Sequence, residues 1–158
     1  MIKVMLDTCT MISLVKDGDS NKEASFKCIK YCLEKNFFLC ASPIAVSEYS
    51  VNHSCERLLS LSGIRILQFG EKHAVKSAML YNLAKGQQIE DRIFVKNDTK
   101  IIAHADVEDI DYLLTADKQM IAHVNKWRSE GNINGVRIVA LNKPFDPNDF
   151  RDQGELGV

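Results

Sequence analysis

The chain has 158 residues, 46% of them hydrophobic and 26% charged, with 20 Lys and Arg against 21 Asp and Glu. That length and mixture suit one folded domain with a real core, and they exclude a disordered or fibrous chain. A net charge of −1 also excludes a strongly basic polyanion binder, so any nucleic-acid contact must come from a local basic rim.

The first stretch, "IKVMLDTCTMISLV", runs from a short apolar strand candidate (2–6) through Asp7 into residues 8–16, which carry apolar side chains at helical spacing. Asp7 breaks the apolar run, so the start does not read as a leader segment. Elsewhere no run approaches membrane-spanning length. Five cysteines, at 9, 28, 32, 40 and 55, form an odd set inside apolar elements and lack zinc-site spacing, as expected of reduced thiols in a cytoplasmic protein.

Residues 20–36 read as an amphipathic helix, with Ser20 as its cap and Glu23 and Lys27 paired at i, i+4. "FFLCA" (37–41) reads as a buried strand. Ser42 followed by Pro43 marks a helix start on two independent grounds, and the helix continues or breaks near "HSCERLLSLSG". The pattern then gives a strand at 64–69, a helix at 71–86 closed by Gly86, an irregular polar connection at 87–96 and a helix at 97–109. "DYLLT" (111–115) and "GVRIVAL" (135–141) complete the strands, with a helix near 117–129 between them. Strands separated by helices predict a three-layer α/β/α domain over 1–143 with a central, mostly parallel sheet. Residues 144–158 hold four acids against Arg151 alone and read as a polar, acidic C-terminal tail on the surface.

Carboxylates stand out because of where they fall. Glu48 shares a helix face with Ile44 and Val51, and Asp98 shares one with Ile102 and Ala105, so both sit on apolar stripes. Asp7 and Asp117 each follow an apolar strand, which puts them at the carboxyl edge of a parallel sheet, where ligands bind. Taken singly, Asp7 and Asp98 could be helix caps and Glu48 a paired core acid. Taken together, inward acids without matched Lys or Arg repel one another, and an all-oxygen set of this kind suits Mg²⁺ or Mn²⁺ better than zinc.

"VMLDTCTMISLV", "ASPIAVSEY" and "NDTKIIAHADVEDIDYLLTAD" resemble the sequence motifs of the PIN-domain ribonucleases, in particular the small toxins of the VapC type. The resemblance spans nearly the whole chain. It implies a PIN-like fold, Mg²⁺- or Mn²⁺-dependent cleavage of single-stranded or loop RNA, an antitoxin as protein partner and a homodimer. It also implies metal-ligand or water-activating roles for Asp7, Glu48, Asp98 and Asp117, and a supporting hydroxyl for Thr115. Many family members carry Asn where this chain has Cys9, so that polar contact is expected to be absent here or supplied by Thr8 or Thr10.

Such chemistry needs no flanked nucleophile, and no Ser-His-Asp order is present. His53, His73, His104 and His123 show no shared metal spacing and read as surface or core residues. Lys96 and Lys100, with Arg92 next, are the candidates to face phosphate, against a solvated-face reading of each. Two other classes compete. A catalytically silent PIN-like module would bind RNA or protein without cutting it, though such silence usually goes with loss of one of the four acids. A receiver-like phospho-signalling domain would want an adjacent acidic pair after the first strand, where "LDTCT" has one acid.

Overall fold

The computed structural model describes residues 1–85 and 92–151. Five short strands form one sheet: β1 (Lys3–Leu6), β2 (Phe38–Ala41), β3 (Arg65–Ile66), β4 (Tyr112–Thr115) and β5 (Arg137–Ala140). Every pairing is parallel and the order is β3-β2-β1-β4-β5. Parallel strands need crossovers, and here these are α1 (Thr8–Val15) with α2 (Lys22–Glu34), α3 (Pro43–Ser50) with α4 (Cys55–Ser62), α5 (Glu71–Lys85) with α6 (Arg92–Val107), and α7 (Lys118–Ser129). The result is the expected PIN-like α/β/α fold with an all-parallel central sheet.

Burial follows from that layering. Val4, Met5 and Leu6 are fully buried, as are Leu113 and Leu114 on the neighbouring strand, so the central strands read as continuous apolar runs rather than alternating ones. Met5 pairs with Cys40 on one side and Leu113 on the other. Ile101, Ile102 and Ala105 of α6 are buried in the same core, as are Met120, Val124 and Trp127 of α7. Among the described residues no helix is long and apolar enough to cross a membrane.

Several local expectations need correction. Ser20 does not cap α2; Asn21 holds that position without a side-chain bond. The strand expected over 64–69 is regular only at Arg65 and Ile66, both exposed on the edge of the sheet, with the Leu67 N–H adding one further bond to the Ala41 carbonyl at 3.1 Å. The region after Pro43 breaks into two helices, and Gly63 ends the second at φ 60°, a left-handed position that glycine adopts without a Cβ clash. Helix α6 begins at Arg92 rather than 97, so the end of the expected 87–96 connection is helical. Gly86, placed as a helix stop, lies outside the described residues.

The expected surface tail is anchored as far as the structure describes it. A 3₁₀ turn at Pro147–Phe150 buries Phe150, whose ring stacks on Tyr31 at 5.4 Å and whose carbonyl accepts the Tyr112 hydroxyl at 2.7 Å. Phe145 joins the same aromatic group, 5.6 Å from Tyr31. Two aromatics among polar neighbours suffice to hold the segment. Lys143 and Asp149 pair across it at 2.8 Å.

Candidate active site

The strand order reverses at β1, since β2 and β3 lie on one side of it and β4 and β5 on the other. Open parallel sheets bind ligands beyond the carboxyl ends of the strands at such a reversal. Asp7 directly follows β1, and Thr115 ends β4 with Asp117 two residues on. The two strand ends are stitched together at this level: the Asp7 N–H and the Thr10 hydroxyl both donate to the Leu114 carbonyl, at 3.1 and 2.8 Å.

Asp7 is buried at 5% exposure, and its carboxylate is held on both oxygens. Oδ1 accepts the Thr8 N–H at 2.7 Å, as a cap on α1 would. Oδ2 accepts the Thr115 hydroxyl at 2.8 Å and the Cys9 thiol at 3.1 Å. Burial pushes the Asp7 carboxyl above the usual carboxylate range; Cys9, Thr115 and the Thr8 N–H pull against that, and Asp117 adds to the rise.

Asp117 caps α7 by accepting the Gln119 and Met120 N–H groups at 2.7 and 3.1 Å through one oxygen, Oδ1. Its own N–H donates to Thr115 Oγ1 at 3.0 Å, so this hydroxyl links Asp7 and Asp117. Glu48, half-buried on α3, accepts the Thr8 hydroxyl at 2.5 Å on one oxygen and the Asn97 amide at 2.6 Å on the other. That amide fixes α3 against α6.

Asp98 differs from these three. It lies well inside α6 and is no helix cap, and its side chain is buried with Oδ2 making no hydrogen bond to any described residue. Its carboxyl is pushed up to about 8, first by burial and then by the charges of Asp7, Asp117 and Glu48. Asp98 therefore lies within electrostatic reach of the other three acids, and Asp7 within reach of Asp117. Among the described residues, none of them has an ion pair with Lys or Arg, so neither the cap reading of Asp98 nor the paired-acid reading of Glu48 holds.

The basic candidates are less engaged with this cluster. Lys96 is exposed and lies 5.8 Å over the Tyr81 ring, while Lys100 is half-buried. The side chain of Arg92 lies outside the described residues. Cys9 does not leave the expected gap: besides Asp7, it approaches Thr115 Oγ1 at 3.4 Å and accepts the Ala116 N–H at 3.2 Å. Burial first, and the Asp7 charge second, push this thiol up to about 12, so it stays protonated and can donate. Thr8 serves Glu48 and Thr10 serves the β4 carbonyl. Asn97 went unremarked in the sequence, where its only signal is its place beside Asp98. All five cysteines are free.

No protein-family model matches the chain, and neither does any curated protein. Solved structures do. The chain is similar to one from VapBC-1 of nontypeable Haemophilus influenzae, at TM-score 0.58 and 18% identity, covering 90% of this chain and 100% of that one. It is similar to a chain of FitAcB from Neisseria gonorrhoeae at TM-score 0.57 and 18% identity, with 87% and 97% covered. At such identity the likeness is one of fold, and it extends over the full length of the compared chains.

Proposed function

We propose that the chain is a divalent-cation-dependent endoribonuclease that cuts single-stranded or loop RNA, and that it acts as the toxin of a toxin–antitoxin pair. One observation supports this reading: buried Asp98 feels the charges of Asp7, Asp117 and Glu48 at the reversal of a parallel sheet, and among the described residues no basic side chain is paired to any of them. Burying uncompensated charge is costly, so such a set persists where a cation is to be bound. The fold shared with VapBC-1 and FitAcB, and the motif resemblance to VapC-type toxins, agree with it.

The donors fit Mg²⁺ or Mn²⁺, which take oxygen ligands and keep several waters. Asp98 Oδ2 has no hydrogen-bond partner among the described residues, and Asp7, Glu48 and Asp117 would supply the remaining carboxylates. Such a cation, when bound, acidifies a coordinated water and offsets charge developing on a phosphate. The protein's own part is positioning. Thr115 and Cys9 fix the Asp7 carboxylate, Thr8 and Asn97 fix Glu48, and the α7 amides fix Asp117. Lys96 and Lys100, with Arg92 next, are the candidates to meet the RNA backbone, and an antitoxin would oppose the cluster with an inserted Arg or Lys.

The test is cleavage of a structured RNA by the purified chain with Mg²⁺ or Mn²⁺, with chelator, and in Asp7→Asn. The proposal expects cutting that stops with chelator and in the variant. Cleavage by Asp7→Asn at the wild-type rate would overturn it.

A further inference from the structure

A second group of ligating side chains lies away from the acids. His73 on α5, His104 near the end of α6 and Glu108 just beyond it place their ligand atoms within 4.8 Å of one another. Glu108 lies toward the start of β1, where the Lys3 ammonium donates to its carbonyl at 2.8 Å, whereas Asp7 follows the end of that strand; His104 reaches back to Ser42, just past the end of β2. Along α6, Asp98 and His104 are separated by roughly 9 Å of helix rise.

Hydrogen bonding leaves His104 incomplete. The ring is fully buried, its Nδ1 meets Ser42 Oγ at 3.0 Å, and its Nε2 has no hydrogen-bond partner among the described residues. The Gln68 backbone, which favours the protonated ring, closes no bond on that nitrogen. If Nδ1–H donates to Ser42, Nε2 keeps a bare lone pair in a dry site, the arrangement by which proteins orient metal-binding imidazoles. His73 Nε2 lies 2.9 Å from Glu108 Oε1, and the His73 and His104 rings stand 4.5 Å apart.

We propose that His73, His104 and Glu108 form a binding site for a divalent transition metal, zinc by preference, that clamps α5 to the end of α6. Two imidazoles and a carboxylate are a zinc donor set, with a fourth position left for water. Bonds of roughly 2 Å place neighbouring ligand atoms roughly 3.3 Å apart, which small side-chain rotations reach from here. Glu108 is half-exposed, with 36% of its side chain accessible, and gives the ion its way in.

Loading moves one proton. The Gly70 N–H donates to His73 Nδ1 at 2.8 Å, so the neutral ring carries its hydrogen on Nε2, toward Glu108. The metal takes the Nε2 lone pair as that proton shifts to Nδ1, which breaks the bond from the Gly70 N–H. Burial and the neighbouring His73 hold the His104 ring well below its usual range, at about 4, so it is neutral and able to ligate at physiological pH.

The full chain is titrated with Zn²⁺ and, separately, with Co²⁺, whose visible absorption reports tetrahedral nitrogen and oxygen ligation. The wild type, Asp7→Asn, Asp98→Asn, His104→Gln and the surface-tolerant Glu108→Gln are compared. The expected result is one equivalent of Co²⁺ with the tetrahedral spectrum in the wild type and both Asp variants, apart from any octahedral ion held by the acids, with that signal's affinity weakened by at least about tenfold in Glu108→Gln and His104→Gln. A wild type that takes up no Zn²⁺ at micromolar concentration would overturn the proposal. So would a Glu108→Gln protein that binds like wild type, or uptake abolished by Asp7→Asn, which would put the ion among the acids.

Discussion

Helix α6 carries two buried aspartates two turns apart, and the protein treats them in opposite ways. Asp106, 7% exposed, pairs with Lys76 at 2.8 Å and accepts the Asn134 N–H at 2.7 Å, so both of its oxygens are engaged. Among the described residues Asp98, 8% exposed, has no cation paired to it and one oxygen without a hydrogen-bond partner, and three other carboxylates act on it. Burial, residue type and helix are the same, so they do not explain the contrast. A structural acid is given a lysine and an amide; Asp98 is given only like charges, which is tolerable for a group whose partner arrives from solution.

The sharpest way to break this contrast is activity. Asp98→Asn, like Asp7→Asn, is expected to lower RNA cleavage by more than about a hundredfold. Asp106→Asn should leave cleavage per folded molecule unchanged in the same gel assay. Stability should divide the two in the reverse sense. Removing one partner of a buried pair strands the other, so Asp106→Asn is expected to cost about 3–5 kcal/mol in chemical denaturation.

Asp98→Asn should be as stable as wild type or more so in chelator at neutral pH, and the pH dependence sharpens this. A carboxyl raised to about 8, far above the ordinary range for Asp, binds its proton more tightly in the folded chain than in the unfolded one. Its contribution is therefore complete below about pH 4, declines as pH rises and is gone above about 8. For the metal-free wild type this amounts to ~6 kcal/mol at most, and the slope should flatten in Asp98→Asn when unfolding is followed from pH 5 to 8. The smallest effect belongs to the exposed pair of Glu23 and Lys27 at 2.6 Å, where Glu23→Gln should leave the unfolding midpoint unchanged within error.

The acids were legible in the sequence because each breaks a local pattern. Asp7 and Asp117 interrupt apolar strand exits, while Glu48 and Asp98 stand on apolar helical stripes, and position along a strand or helix is something sequence periodicity carries. The parallel layered sheet was legible for the same reason. What escaped depends on contacts between distant segments. Asn97 is an ordinary polar residue until α3 brings Glu48 to it. His73 and His104 are 31 positions apart, and only the packing of α5 on α6 makes them neighbours. The edge strand was overread because Ile64 is buried and Leu67 packs on the core, although the backbone between them pairs at two residues only. In the described part of the tail the polar residues are mostly exposed, as their charge pattern suggests, and what that pattern does not carry is the anchoring of Phe145 and Phe150, whose partners Tyr31 and Tyr112 come from far upstream.

The most direct measurement is Mn²⁺ binding by calorimetry at pH 7.5 in wild type, Asp98→Asn and Asp106→Asn, each first shown to be folded. Four carboxylates forming one cation site predict binding that Asp106→Asn retains and Asp98→Asn weakens by at least about tenfold. Equal Mn²⁺ affinity in all three proteins, or no Mn²⁺ bound to the wild type, would contradict it.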